Sequence, residues 1–333
     1  MSVTQNHAFV NDNGEADVAK ITKELNATWA ERKIYAKRVS AKLAAVGETK
    51  RAAAVGSCAQ NIITTVCPSC GHIHSQAAFL CRDRVCPICQ WRLARQRFAE
   101  MCEVLSVIAR QEQHTKVTML TLTVRNCAPE ELRATCEKMS KAWFNLYRTT
   151  LFNGVVGTAR SLEITYNRNK KTLHPHYHIL LLWDKGVTPK TGFVEKVAQK
   201  WGKLLKVDYK TIIDHREAYI KNKIAQDDEQ PPLFPHENMR AVIEAFKYAF
   251  KTDIINELPK DIYKIFLNEI KGLRFVSYTG IFKTIRSALG FNDSDTPEDK
   301  DIDLLNACSA CGEKCQKLLF TWATGEYVRG WSK

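Results

Sequence analysis

The chain has 333 residues, 45% of them hydrophobic, enough for one large domain or two of ordinary size around a substantial core. Its 49 basic and 36 acidic residues leave a net charge of +13, which suits an anionic partner, nucleic acid being the commonest. The longest apolar run, at 179–183, is strand-sized, and residues 1–20 lack the basic region and apolar core of a signal peptide, so neither a membrane span nor export is expected. In the cytoplasm that remains, the 12 cysteines read as metal ligands and buried thiols, since thiols there stay reduced.

Residues 1–20 are polar, and 21–47 carry the charge pattern of a helix that ends at Gly47. Six cysteines fall within 51–92, and a helix is predicted over 91–111. The β-branched, alternating segment 116–124 (KVTMLTLTV) predicts a strand. An amphipathic helix is predicted over 129–152, with Pro129, Glu130 and Glu131 in its first turn. A hairpin follows, with strands at 160–166 and 173–183 and a turn at 167–171. Residues 190–224 look helical or mixed, 227–235 (DDEQPPLFP) a loop, 238–252 a helix and 293–303 an acidic linker before a tail with Cys308, Cys311 and Cys315.

His174, His176 and His178 occupy alternate positions of HPHYHILLL, so on a strand their imidazoles share one face. With the hairpin turn near Asn169 and Lys170, Glu163 lies opposite His176, or opposite His178 if the register shifts by two. Either way the carboxylate shares the histidine face. Two imidazoles and a carboxylate with open positions suit Mg²⁺ or Mn²⁺ held against a phosphate oxygen.

In the helix over 238–252, Met239, Val242, Ile243, Phe246 and Phe250 cluster on one side. Tyr248 projects from the opposite side, accompanied by Glu244 and Lys251. A solvated face is the ordinary explanation of such a tyrosine; beside a metal-binding histidine cluster it becomes a candidate nucleophile. Its oxygen can attack a polarised phosphodiester and keep one DNA end, with Lys251 or Lys247 stabilising negative charge and Glu244 activating water or a hydroxyl in a later step.

The pairs Cys67/Cys70 and Cys86/Cys89 form a C-x2-C-x15-C-x2-C pattern that suits tetrahedral Zn²⁺ in a small ribbon. Cys58 and Cys81 are alternative ligands, and His72 or His74 can substitute. Arg82, Arg84, Arg92, Arg95 and Arg97 with Trp91 read either as a DNA-backbone patch or as a solvated helix face. Cys308, Cys311 and Cys315 supply only three obvious ligands, and their role stays open.

Together these segments resemble the HUH endonucleases, in particular the replication initiators of rolling-circle plasmids of the pUB110/pC194-like group. The resemblance rests on TLTV at 121–124, HPHYH at 174–178, the Glu-x-x-Lys-Tyr-x-x-Lys pattern at 244–251, CRDRVCPIC at 81–89 and LRFVSYTGIFK at 273–283, and it covers roughly residues 55–285. It implies an α+β fold, a central antiparallel sheet flanked by helices, with an inserted or preceding zinc-ribbon element. It further implies His176 and His178 as metal ligands, Tyr248 as nucleophile, and Glu244 as the residue through which water ends the replication cycle; His174 falls outside the metal pair. The expected organisation is an N-terminal helical or flexible region (1–50), a zinc-binding region (51–98), the HUH nuclease domain (99–290), and an acidic linker with a cysteine-containing tail (291–333). Expected partners are single-stranded or hairpin plasmid origin DNA and the host replication helicase and polymerase, with no membrane. The rival readings are a transposase or relaxase of the same superfamily, a histidine-triad nucleotide hydrolase, and a non-catalytic zinc-ribbon DNA-binding protein.

Overall fold

A computed structural model of the chain describes residues 9–11, 13–110, 116–218, 252–292, 308 and 311–330. The loop expected at 227–235, the linker at 293–303 and the helix at 238–252, save its last residue, lie outside them. The architecture is α+β, with two antiparallel sheets and flanking helices. Contacts divide the chain into two compact units, Met1–Arg92 with Thr296–Lys333, and Leu93–Asp295. The N-terminal helix, the cysteine segment and the tail, set apart in the sequence reading, thus belong to one unit.

In the first unit, α1 (Val18–Ala45) starts at Asp17, whose side chain accepts a hydrogen bond from the Lys20 amide, and stops just short of Gly47. Its buried residues recur every three or four positions, from Ile21, Leu25 and Trp29 to Val39 and Leu43, the stripe that an amphipathic helix buries. α2 (Thr49–Ser57) packs against it. Lys33 is fully buried within the same stripe, and its ammonium donates to the carbonyls of Gly56 (3.0 Å) and Cys58 (2.6 Å). Burial draws its pKa down to about 8.

The sheet of this unit contains β1 (Asn61–Val66) and β2 (Ile73–Ala77) from the cysteine segment, joined to β8 (Gln316–Ala323) and β9 (Glu326–Arg329) from the tail, in the order β2-β1-β8-β9. The cysteine-containing tail, for which no strand was expected, is therefore a hairpin that pairs with β1, a non-local contact that no local pattern announces.

In the second unit the order is β6-β3-β5-β4-β7, every neighbour antiparallel. The strands are β3 (Val117–Thr123), β4 (Val155–Asn167), β5 (Thr172–Trp183), β6 (Ile213–Ala218) and β7 (Val276–Thr279). β6 falls where a helical or mixed segment was expected; it pairs with β3 after α5 (Phe193–Leu205) ends at Lys206 in a left-handed conformation. One face of the sheet is covered by α3 (Pro87–Arg110), which places Met101, Val104, Leu105 and Ile108 against Val117, Met119, Leu180 and Leu182. α8 (Gly280–Ala288) adds Phe282 and Ile285 to this core. α4 (Leu132–Tyr147) packs with α5 and β5, while α6 (Thr252–Glu257) and α7 (Lys260–Glu269) lie between β6 and β7 in the chain. The single helix expected over 129–152 is divided into a 3-10 turn (Pro129–Glu131), α4, and a second 3-10 turn (Thr150–Phe152). Its end has a local cause: both the amide and the hydroxyl of Thr149 donate to Leu146 O, at 3.0 and 2.8 Å, and close the last turn.

Candidate metal centre

β4 and β5 pair along their length with Glu163 directly opposite His176. Side chains two apart on a strand share a face. His176 and His178 thus continue the row formed by Leu180 and Leu182, and Glu163 continues the row of Ala159 and Ser161. The hydrophobic face that binds α3 and α8 becomes polar at this end of the sheet, in a pocket still largely closed to solvent: Glu163 is 7% and His178 8% exposed.

The two imidazoles converge on one carboxylate oxygen. Nε2 of His176 lies 3.1 Å and Nε2 of His178 2.9 Å from Glu163 Oε2. The opposite ring nitrogens are also engaged. His176 Nδ1 faces the His174 carbonyl at 3.4 Å, and His178 Nδ1 faces the Thr121 hydroxyl at 3.3 Å. A carbonyl only accepts, so the His176 proton belongs on Nδ1 and leaves the Nε2 lone pair directed at an anionic oxygen. Two acceptors at that distance repel unless a cation lies between them. The donor set therefore fits a divalent ion, with two nitrogens and one oxygen and all candidate ligand atoms within 4.8 Å of one another. The ring of His174, the third histidine of the row, lies 5.5 Å from that of His176 and tilted to it, and burial, reinforced by His176, holds its pKa below the usual imidazole range.

Thr121 is a residue whose role the sequence reading did not assign. TLTV was noted as a motif, yet its threonines alternate as the histidines do. The β3–β5 register places Thr121 opposite His178 and Thr123 opposite His176, on the same face. On the next strand, Asp214 lies opposite Thr121.

The expected zinc quartet is divided. Cys67 and Cys70 do not meet Cys86 and Cys89. Cys86 and Cys89, in the first turn of α3, gather with Cys58 and Cys81, and Cys67 and Cys70 gather with Cys308 and Cys311. Both alternative ligands named from the sequence, Cys58 and Cys81, thus enter the first cluster, where each sulfur lies 3.6 Å from Cys89 Sγ. The Arg82 amide points at Cys89 Sγ from 3.2 Å, and Asp83, held bidentately by Arg51 at 2.7 and 3.0 Å, fixes the loop. Burial, with the neighbouring thiols, pushes the Cys86 thiol well above its ordinary pKa, the expected cost of enclosing thiolates without a cation. Cys315 lies beside the second cluster with its thiol 3.8 Å from Glu313 O, and burial, reinforced by Cys67, Cys308 and Cys311, raises its pKa.

Tyr248, Glu244 and Lys251 lie outside the described residues. Tyr263 and Tyr278, the other tyrosines near the end of the second unit, are core residues, 0% and 6% exposed. In the arginine patch Arg82 and Arg95 are exposed, but Arg97 is buried and Trp91 packs edge-on against Trp29 at 4.8 Å with Arg32 over its ring, so Trp91 is a core aromatic and not a stacking surface for bases. No helix among the described residues is long and apolar enough to cross a membrane.

Comparison with known proteins bears on this geometry. The chain is similar to proteins named "Protein rep" from Bacillus sp (28% identical; 79% of this chain, 88% of that one), from Bacillus amyloliquefaciens (29%; 74% and 75%) and from Streptococcus pneumoniae serotype 2 strain D39 (25%; 69% and 72%). No solved structure matches. The family described as Replication protein matches residues 72–327, a span that includes Glu163, His176, His178 and five of the eight clustered cysteines. With more than half of its 333 residues matched, the chain belongs to the replication protein family, in agreement with its resemblance to the replication initiators of rolling-circle plasmids.

Proposed function

We propose that this replication protein starts rolling-circle replication of a plasmid by nicking, and later rejoining, single-stranded or hairpin origin DNA through a 5′-phosphotyrosine on Tyr248. The observation that carries the reading is the convergence of His176 Nε2 and His178 Nε2 on Glu163 Oε2 within a family of replication proteins. The fold it implies for the second unit is that of the HUH endonucleases, with the histidine pair on a central strand.

Glu163, His176 and His178 hold the divalent ion, Mg²⁺ or Mn²⁺. When bound, it supplies Lewis-acid polarisation of a phosphate oxygen. Thr121 and the His174 carbonyl orient the two rings and keep their Nε2 lone pairs available. The Tyr248 oxygen attacks phosphorus; the new bond is tyrosyl O–P, and the bond that breaks is P–O3′, which leaves a 3′-hydroxyl for extension. Lys251 stabilises charge on the phenolate and on the phosphorus centre. In the closing step Glu244 takes a proton from water, which attacks phosphorus at the regenerated nick site and breaks its P–O3′ bond; the freed 3′-hydroxyl then attacks the tyrosyl phosphate, forming P–O3′, releasing the Tyr248 oxygen and rejoining the strand. Cys58, Cys81, Cys86 and Cys89 would hold a structural Zn²⁺, since four cysteine ligands leave no position for a substrate. Host helicase and polymerase then act on the nicked plasmid.

The test is incubation of the purified chain with labelled single-stranded origin DNA and Mn²⁺, followed by peptide mapping of any adduct. A labelled peptide containing Tyr248 is expected. Cleavage without a protein–DNA adduct, or an adduct on another residue, would overturn the tyrosine assignment.

A further inference from the structure

We infer that Cys67, Cys70, Cys308 and Cys311 bind a zinc ion of their own, which clamps the C-terminal hairpin to the cysteine segment and joins the two ends of the chain.

Three observations converge. The first is distance. Cys67 Sγ lies 3.4 Å from Cys311 Sγ, Cys70 Sγ 3.5 Å from Cys308 Sγ, and Cys311 Sγ 3.7 Å from Cys70 Sγ. A tetrahedron with Zn–S bonds of about 2.3 Å has edges of about 3.8 Å, close to these separations. The sulfurs approach as four mutual neighbours and not as two bonded pairs, and each of these cysteines is free. An iron–sulfur cluster has several metal atoms to enclose and would hold its cysteines farther apart.

The second is backbone geometry repeated at two remote places. Both pairs read C-x2-C-G, Cys67-Pro68-Ser69-Cys70-Gly71 and Cys308-Ser309-Ala310-Cys311-Gly312. In each, the glycine amide donates to the first cysteine's carbonyl, Gly71 to Cys67 at 2.9 Å and Gly312 to Cys308 at 2.8 Å. In each, the first cysteine's amide donates to the carbonyl one residue past the glycine, Cys67 to His72 at 2.9 Å and Cys308 to Glu313 at 2.7 Å. Both glycines take left-handed φ, +67° and +77°, where a side chain is strained. The same knuckle is built twice, 238 residues apart when measured from Cys70 to Cys308. Such a turn directs both thiols of a C-x2-C pair to one point.

The third is topology. The first knuckle is the connection between β1 and β2, and the second leads into β8. The register pairs Val66, the last residue of β1, with both Ile73 and Gln316, so the two knuckles leave the same end of one sheet. This arrangement follows from strand pairing alone, independently of the sulfur positions. The unit is thus a ribbon whose two halves come from opposite ends of the sequence. Its metal contributes to folding by closing a very long loop, the case in which a crosslink removes most entropy from the unfolded chain.

The test uses the full chain, purified without chelator and exchanged against Mn²⁺ to remove loosely held zinc. Metal analysis should find about two zinc ions per chain, and about one in the variant C308S/C311S. Alkylation mapped by peptide mass spectrometry should find Cys67, Cys70, Cys308 and Cys311 protected as a group, with Cys315 reactive. In C308S/C311S, Cys67 and Cys70 should become reactive while Cys58, Cys81, Cys86 and Cys89 stay protected. Should the variant be insoluble, the wild-type map decides. One zinc ion in the wild-type chain with Cys308 and Cys311 freely alkylated, or iron in place of zinc, overturns the inference.

Discussion

The Nε2 atom of His178 lies 2.9 Å from Oε2 of Glu163, across 15 residues of sequence and two adjacent strands. The same oxygen is 3.1 Å from His176 Nε2, so a single carboxylate oxygen is shared by both rings. Strand pairing sets this geometry, and it gives the first prediction its sharpness. His176→Ala/His178→Ala should lose nicking by roughly 10²- to 10⁴-fold, the worth of a few kcal/mol of Lewis-acid assistance. The circular dichroism spectrum should be unchanged, because both rings lie at the end of the core and not within it. Undiminished nicking by this variant in chelator would remove the site from the mechanism.

Thr121→Val keeps the shape and deletes the hydroxyl beside His178 Nδ1. Its effect should appear in the Mn²⁺ titration, with the half-saturating concentration raised roughly 10-fold and cleavage at saturating metal largely restored. A variant indistinguishable from wild type across the titration would show that the hydroxyl does not orient the ring.

Tyr248→Phe removes only an oxygen, so origin DNA should still bind while nicking and the covalent adduct both vanish. Glu244→Ala should nick and form the adduct but terminate poorly, and produce products longer than one plasmid unit. Equal loss of first-strand nicking in both variants would move Glu244 into the opening step.

Arg286 is 2% exposed, and its guanidinium donates to Glu100 at 2.7 Å while covering the Tyr278 ring at 4.0 Å. The pair links α3 to α8 inside the second unit. Arg286→Met should destabilise the protein by about 3–5 kcal/mol by leaving a buried carboxylate uncompensated, and Arg286→Met/Glu100→Leu should recover most of that loss. Urea denaturation of the two variants checks it; a double variant no better than the single would place the cost in lost packing over Tyr278.

Gly280 joins β7 to α8 at φ +56°, and a Cβ there would sit 2.0 Å from Val156 O and 2.9 Å from Gly157 Cα. Gly280→Ala should therefore cost roughly 2–3 kcal/mol of stability through backbone displacement. An unchanged denaturation midpoint would mean that β4 can yield at this point.

Several features were determined by the sequence alone. Alternation in HPHYHILLL placed His174, His176 and His178 on one strand face, and the turn at 167–171 put Glu163 on that face opposite His176 or His178, the structure selecting His176, because strand facing and hairpin pairing are local properties. The helix ending near Gly47 and the C-x2-C spacings were legible for the same reason. What only the tertiary structure decided was which distant segments meet. Each C-x2-C pair is locally alike, and a spacing of fifteen residues between Cys70 and Cys86 made one quartet look complete. The pairing of β1 with β8 instead brings Cys308 and Cys311 to Cys67 and Cys70, while the first turn of α3 takes Cys86 and Cys89 to Cys58 and Cys81. Thr121 came to His178, and β6 to the edge of the sheet, through strand order of the same non-local kind. A tetrahedron of thiols or a row of strands is specified by contacts across tens to hundreds of residues, and a pattern read along the chain carries the faces of its elements but not the order in which they assemble.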